Sequence, residues 1–305
     1  MILSASRRTD IPQFYMDWFI YRLKSGYVFT RNPMNRSQIS RIPLSPELID
    51  CIVFWTKDAF KLLPRLDEID RLGYSYIIQH TLTPYGRDLE PCLRDKCEIE
   101  ADFIRLSKRL GKDRLIWRYD PIIINSEYNL SFHKAHFLHL CKRLSGYTDR
   151  VIISFVDLYS KIKKRSIREP SSDELHEVSD FIGHCARDYG LKVFSCCEKA
   201  ELTAYGIEKA SCIDRVFIER ALGCSLEIKK DKNQREGCGC YESIDIGVYD
   251  TCPGGCLYCY ANRSHERAVL NFSQHRPEGE LLFGEILDGE VIRDKQLISN
   301  KLPLI

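Results

Sequence analysis

Short apolar runs that end abruptly in polar or charged residues recur along the first two thirds of the chain. They span residues 2–6 before Arg7, 27–30 before Arg31, 51–55 before Thr56, 74–78 before Gln79, 114–117 before Arg118, 150–155 before Asp157, and 191–194 before Ser195. Runs of this length, rich in β-branched and aromatic residues, fit parallel strands buried on both faces. Amphipathic stretches lie between them: 11–24 with Pro12 in its first turn, 59–71 with Leu62, Leu63, Leu66 and Ile69 on one stripe, 131–144, and 171–189. The last opens on Ser171 and Glu174, a capping-box spacing. Strands alternating with such helices predict βαβ units and a parallel sheet. Residues 243–249 supply an eighth strand. The expected fold is therefore an α/β barrel of the TIM type over residues 1–260, followed by an extension over 261–305; an open parallel α/β sheet is the alternative.

In such a barrel the residues just past each strand gather at one mouth. Here they nominate Arg7, Arg8, Asp10, Arg118, Asp120, Asp157 and Glu198 as catalytic candidates, with Arg31, Lys57 and His80 in equivalent places. The guanidinium fork suits a polar substrate that carries a carboxylate or phosphate. Composition narrows the partners. With 45 basic against 43 acidic residues and a net charge of +2, nothing asks for a nucleic-acid partner. The apolar run at the N-terminus is too short for a signal peptide, and no stretch approaches the roughly 20 apolar residues of a membrane span. A cytoplasmic protein without a membrane partner is expected. In a reducing compartment its 14 cysteines read as buried small residues and metal ligands, not as disulfides.

The most specific segment is Thr251-Cys-Pro-Gly-Gly-Cys-Leu-Tyr-Cys-Tyr-Ala-Asn262, just past the eighth run. Cys252, Cys256 and Cys259 are spaced Cys-x3-Cys-x2-Cys on a loop that Pro253, Gly254 and Gly255 allow to curl. Three thiolates suit an iron–sulfur cluster with one iron left open. Cys-x2-Cys also suits zinc, which prefers four closed ligands. A second group, Cys196, Cys197, Cys212, Cys238 and Cys240, flanks the seventh and eighth runs and is a candidate for a further cluster or a zinc ion; buried core cysteines are its bland reading. His133, His136 and His139 share a helical stripe without an acidic partner and read as amphipathic helix surface.

The cysteine loop resembles the radical S-adenosylmethionine superfamily, whose signature has this spacing with an aromatic residue, here Tyr258, before the third cysteine. The resemblance implies a [4Fe–4S] cluster on Cys252, Cys256 and Cys259, with S-adenosylmethionine on the fourth iron. It also implies a 5′-deoxyadenosyl radical that abstracts hydrogen from the substrate, and an electron donor such as a ferredoxin or flavodoxin. Tyr258 and Asn262 would lie at the cofactor. The superfamily carries its motif after the first strand, so a motif after the last implies a circularly permuted barrel. Over its whole length the chain is similar to an uncharacterised microbial family, domain of unknown function 1848. That likeness rests on Ser-Ala-Ser-Arg-Arg-Thr-Asp-Ile-Pro12, Phe54-Trp-Thr-Lys57, Trp117-Arg-Tyr-Asp-Pro121, Cys196-Cys-Glu198 and the cysteine motif. Two rival readings stand: a metalloprotein whose cluster or zinc is structural, and a nucleic-acid-acting radical enzyme resembling spore photoproduct lyase. The near-neutral charge disfavours the second.

Overall fold

Hydrogen-bond partners, more than apolar content, decide which runs share a sheet. The computed structural model describes residues 1–35, 37–157, 167–235 and 237–302. Its strands are β1 (Ile2–Ala5), β2 (Tyr27–Arg31), β3 (Gln38–Pro43), β4 (Cys51–Thr56), β5 (Tyr76–Thr81), β6 (Leu115–Ile122), β7 (Arg150–Phe155), β8 (Lys192–Cys196), β9 (Ile207–Ala210), β10 (Ile244–Asp245) and β11 (Val291–Asp294). The helices are α1 (Ile11–Phe14), α2 (Met16–Ser25), α3 (Leu66–Arg71), α4 (Lys96–Leu110), α5 (Leu130–Leu144), α6 (Ser172–Asp188), α7 (Arg215–Leu222) and α8 (His265–Ser273).

Eight strands form one parallel sheet in the order β10-β1-β4-β5-β6-β7-β8-β9. From β1 to β9 the order follows the chain without reversal, so right-handed crossovers bring the connecting helices to one face. On that face Leu3, Phe54, Ile78, Trp117, Ile153 and Val193 pack in a single core with Phe19, Phe103, Phe137 and Ile182 of the helices. The opposite face carries Ile2, Val53, Ile77, Ile116 and Ile152, covered by Phe217 and Ile218 of α7 and by Leu226.

The barrel is not closed. Among the described residues β9 and β10 form the two edges and do not pair with each other. Their lengths explain this: β10 has only two residues, and Glu208 and Lys209 leave the middle of β9 exposed. The chain just past β9 does meet the chain just before β10. Tyr241 N–H donates to the Ile213 carbonyl at 3.1 Å, and Ser211 Oγ to the Gly239 carbonyl at 2.5 Å. The open parallel sheet is thus the architecture observed.

Three other expectations need correction. The run at 27–30 is not in the main sheet; β2 pairs antiparallel with β3, which pairs in parallel with β11. Only residues 32–37 join β2 to β3, too few for the crossover that parallel pairing requires. β9, which no apolar run announced, takes the eighth place. The helix expected over 11–24 breaks at Tyr15 (φ −127°) into α1 and α2, and Pro64 delays α3 until Leu66. The extension is woven into the fold. Phe272 of α8 packs edge-on against Phe14 and Tyr15, and Trp18 Nε1 donates to the Gly279 carbonyl at 2.8 Å. Asp50 joins the Met1 amine to Ser299 and Asn300.

Helix α6 keeps its capping box: Glu174 N–H donates to Ser171 Oγ at 3.2 Å, and Ser171 N–H to Glu174 Oε2 at 2.8 Å. Its middle lies directly on the turn before β9. A β-carbon on Gly183 would fall 1.9 Å from the Tyr205 carbonyl oxygen, so the helix cannot keep its seat with any larger residue. Gly183→Ala is expected to destabilise the protein by about 1–3 kcal/mol, the usual cost of overpacking. A lower midpoint in urea at unchanged slope would be the signature, and an unchanged midpoint would refute this packing.

Candidate functional site

Side chains alternate between the faces of a strand, and along the inner face the character changes from one end to the other. Near the N-terminal ends it is apolar, as in Ile2, Val53, Ile77, Ile116 and Ile152. Two residues further on, the same face presents Ser4, Trp55, Gln79, Arg118 and Ser154. These side chains bond one another. Trp55 Nε1 donates to Ser4 Oγ at 3.1 Å, Arg118 Nη1 to Gln79 Oε1 at 3.1 Å, and both Arg118 and Ser154 donate to Asp120. The Arg7 and Arg118 guanidinium groups lie 6.0 and 5.4 Å from the Trp55 ring centre.

The expected catalytic residues divide. Arg7, Arg118, Asp120 and Glu198 share this floor. Arg7 pairs with Asp245 at 3.8 Å, and the Asp245 carboxylate also accepts from Ser4 and Ser6. Burial pushes the Glu198 carboxyl up to about 7, although the Phe155 N–H donates to it. Arg8 points elsewhere, over the Tyr249 ring at 5.3 Å. Asp157 is exposed and pairs with Arg235. Arg31 belongs to the small sheet, where it pairs with Glu290. His80 is buried on the helix side against Phe103, and burial lowers it to about 4. His133 is no surface residue: it is fully buried, with Nδ1 2.8 Å from Tyr119 Oη and Nε2 2.8 Å from the Ile123 carbonyl.

The cysteine loop follows β10, and the pairing of β10 with β1 brings it to the same mouth. Tyr260 Oη donates to the Arg7 carbonyl at 2.6 Å, Tyr15 Oη to the Thr251 carbonyl at 2.5 Å, and Leu257 N–H to the Leu89 carbonyl at 3.0 Å. Gly255 turns the loop at φ +68°, a conformation that favours glycine. Its missing β-carbon leaves room for His265 and Pro91, which would otherwise stand 3.0–3.1 Å away. The backbone N–H groups of Gly254 and Asp10 donate toward the Cys252 sulfur. Burial pushes the Cys252 thiol up to about 12, and the charge of Cys259 adds to that. Cys256 is raised as well, again chiefly by burial; Lys57 opposes the shift, while Cys259 and Cys252 add to it. The three sulfurs thus lie within one another's fields. As placed, no three Cys, His, Asp or Glu side chains among the described residues could hold one metal ion.

Residues outside the motif anchor the loop, and sequence reasoning missed most of them. Glu90, only 1% exposed, accepts from Lys57 Nζ at 2.8 Å, from Thr83 Oγ1 at 2.9 Å, and from Lys96 and Tyr258. Asp10 accepts from Lys57 N–H and Gln13 N–H at 2.8 and 2.9 Å, and its burial pushes it up to about 7. Tyr258 and Asn262 therefore have structural partners: Tyr258 holds Glu90, and Asn262 Nδ2 donates to the Cys252 carbonyl at 2.7 Å. Asn262 Oδ1 is buried without a hydrogen-bond partner, an orphan acceptor beside the triad. Extending the period-two alternation past each run would have found Gln79 and Ser154; nothing local marks Glu90, which reaches the site from a loop.

One comparison bears on this site. A family model described as Domain of unknown function (DUF1848) matches residues 2–261, which takes in the whole parallel sheet and the cysteine loop. The chain belongs to that family. No curated protein and no solved structure matches it. The family boundary falls just past Cys259, so the floor, the three cysteines, Glu90 and Asp10 lie inside the shared domain, and Asn262 stands at its border. Among the described residues no helix is long and apolar enough to cross a membrane.

Burial works against a charge on Glu90, but the half-buried Lys57 and Lys96 hold it ionised, with a carboxyl lowered to about 2. Its contribution to stability is complete above the ordinary carboxylate value of 4.5 and fades as the pH falls toward 2. Glu90→Gln is expected to cost on the order of 3 kcal/mol at pH 7 by linkage. The difference from wild type should shrink below about pH 4.5 in acid-titrated denaturation. A difference independent of pH would show that the charge does not hold the loop.

Proposed function

We propose that the chain is an iron–sulfur enzyme that holds a [4Fe–4S] cluster on Cys252, Cys256 and Cys259 and uses it with S-adenosylmethionine on a polar substrate. One observation carries this reading: three half-buried thiols within one another's fields, on a tightly turned loop, share a mouth with a floor of paired arginines and carboxylates. The donor set fits a cluster better than zinc, which would want a fourth close ligand. The orphan Asn262 Oδ1 beside Cys252 suits a polar group in the loop's hollow. The amides of Gly254 and Asp10 and the Lys57 ammonium supply the positive field that thiolate ligands need. With the cofactor bound, the cluster would supply one electron to cleave the sulfonium and release a 5′-deoxyadenosyl radical.

The protein's own residues then have definite tasks. Arg7, partly exposed beside Trp55, presents its fork to a carboxylate or phosphate on the substrate, while Arg118, bonded to Asp120, Gln79 and Cys212, braces the floor. Glu198, with a carboxyl near 7, can hold or accept a proton at neutral pH. In this reading the sheet is a permuted barrel opened between β9 and β10, and β10 leads into the cofactor loop as the first strand would. A small electron donor is the partner required, and the cytoplasm is the compartment that suits reduced thiols.

Replacing Cys252, Cys256 or Cys259 singly by Ala should remove most of the broad visible absorption of the anaerobically purified protein, with its iron and sulfide. Wild-type iron in all three variants would refute the ligand assignment. Addition of S-adenosylmethionine to the reduced protein should change its paramagnetic resonance spectrum and release 5′-deoxyadenosine. A cluster indifferent to it would leave a structural metal centre as the function of the loop.

A further inference from the structure

A second set of thiols meets on the inner face. Cys196 ends β8, Cys212 follows β9, and Cys238 and Cys240 precede β10. Cys196 lies within reach of Cys212, Cys212 of Cys240, and Cys240 of Cys238. Cys196, Cys212 and Cys240 are buried in one cluster, and Cys197 and Cys238 pack against it. Buried cysteines are common core residues, but these are not in a purely apolar setting. The Arg118 Nη1 atom donates to Cys212 Sγ at 3.2 Å, and Ile213 N–H donates to Cys240 Sγ at 3.4 Å. Arg7 lies in the field of both Cys212 and Cys240. Donors aimed at sulfur suit a metal-bound thiolate, whose charge they stabilise.

The backbone is shaped for this approach. Gly239, between two of the cysteines, lies so close to Ser211 that a β-carbon would stand 2.8 Å from its Oγ. The hydrogen bonds from Ser211 Oγ to Gly239 and from Tyr241 to Ile213 pin the two thiol-bearing segments side by side. This is also where the two edges of the sheet approach without a strand ladder.

We infer that Cys196, Cys212, Cys238 and Cys240 form a tetrathiolate metal centre, separate from the Cys252 loop, that clasps the open edges of the sheet. Four thiolates match the closed set of structural zinc and also the all-cysteine set of an iron–sulfur cluster. As placed, no three of these side chains could hold one metal ion. Binding of a cation releases the thiol protons to solvent and draws the four sulfurs together.

The test uses the full chain with Cys252, Cys256 and Cys259 all replaced by Ala, so that the cofactor loop cannot contribute. Purified anaerobically, this variant should retain about one zinc, or iron with matching sulfide, per chain. Adding Cys240→Ser or Cys238→Ser should lower that content at least fivefold, while Cys51→Ser leaves it unchanged. Should the serine variants fail to fold, alkylation of the triple-alanine variant decides. Cys92 and Cys97, both exposed, label at once. The four ligands should resist until a chelator is added. A metal-free triple variant with native circular dichroism would overturn the centre, as would metal that survives loss of all four thiols or labelling that a chelator does not change. Loss of the Cys252 cluster alone would not.

Discussion

The parallel pairing of β1 with β4 on one side and β10 on the other sets the position of the whole candidate site. Leu3 and Ser4 oppose Ile52 and Val53 across one ladder, and Ile244 and Asp245 across the other. Because all three strands run the same way, the segments that follow them emerge at one end. That single constraint places Asp10, Lys57 and the cysteine loop together, although they are separated by up to about 250 residues of chain. It also brings Asp245 within reach of Ser4, Ser6 and Arg7.

The mouth so formed is held by charge more than by apolar contact. Glu90 ties Lys57, Lys96 and Tyr258 beneath the loop, while Arg94 joins Asp58 to Asp102 beside it. Buried ion pairs gain little stability over a well-packed apolar core, because both ions must first leave water. Their value here is geometric: each carboxylate takes several donors from different elements and so fixes where those elements stand. The same logic holds on the floor, where Arg118 touches a carboxylate, an amide and a sulfur at once.

Much of this was legible in the sequence, and the rest was hidden for physical reasons. Buried parallel strands announce themselves as apolar runs, so β1, β4, β5, β6, β7 and β8 stood out. β9, with Glu208 and Lys209 exposed at an edge, carries no such mark. The run at 27–30 has strand character, but hydrophobicity says nothing about partners, and only the short link to β3 assigns it to the second sheet. The floor residues were partly visible as polar ends of runs: Arg7, Arg118, Asp120 and Glu198 gather there. Asp157 and Arg8 have the same sequence context but face outward or pair elsewhere. The histidine stripe misled because a helix packed on a sheet buries one of its histidines. His133 satisfies both ring nitrogens inside the core, which a sequence pattern cannot show.

The join between β1 and β10 also has a consequence for how the molecule is made. In synthesis β1 precedes its second neighbour by about two hundred and forty residues. Until then β1 has an open edge, the kind of surface on which strands of other chains can pair. Contacts of such long sequence separation form slowly, since a large loop must close before they stabilise anything. The cysteine loop lies beyond that last strand and is anchored to residues near the start. Any metal it carries must therefore be delivered after every strand of the parallel sheet has been synthesised.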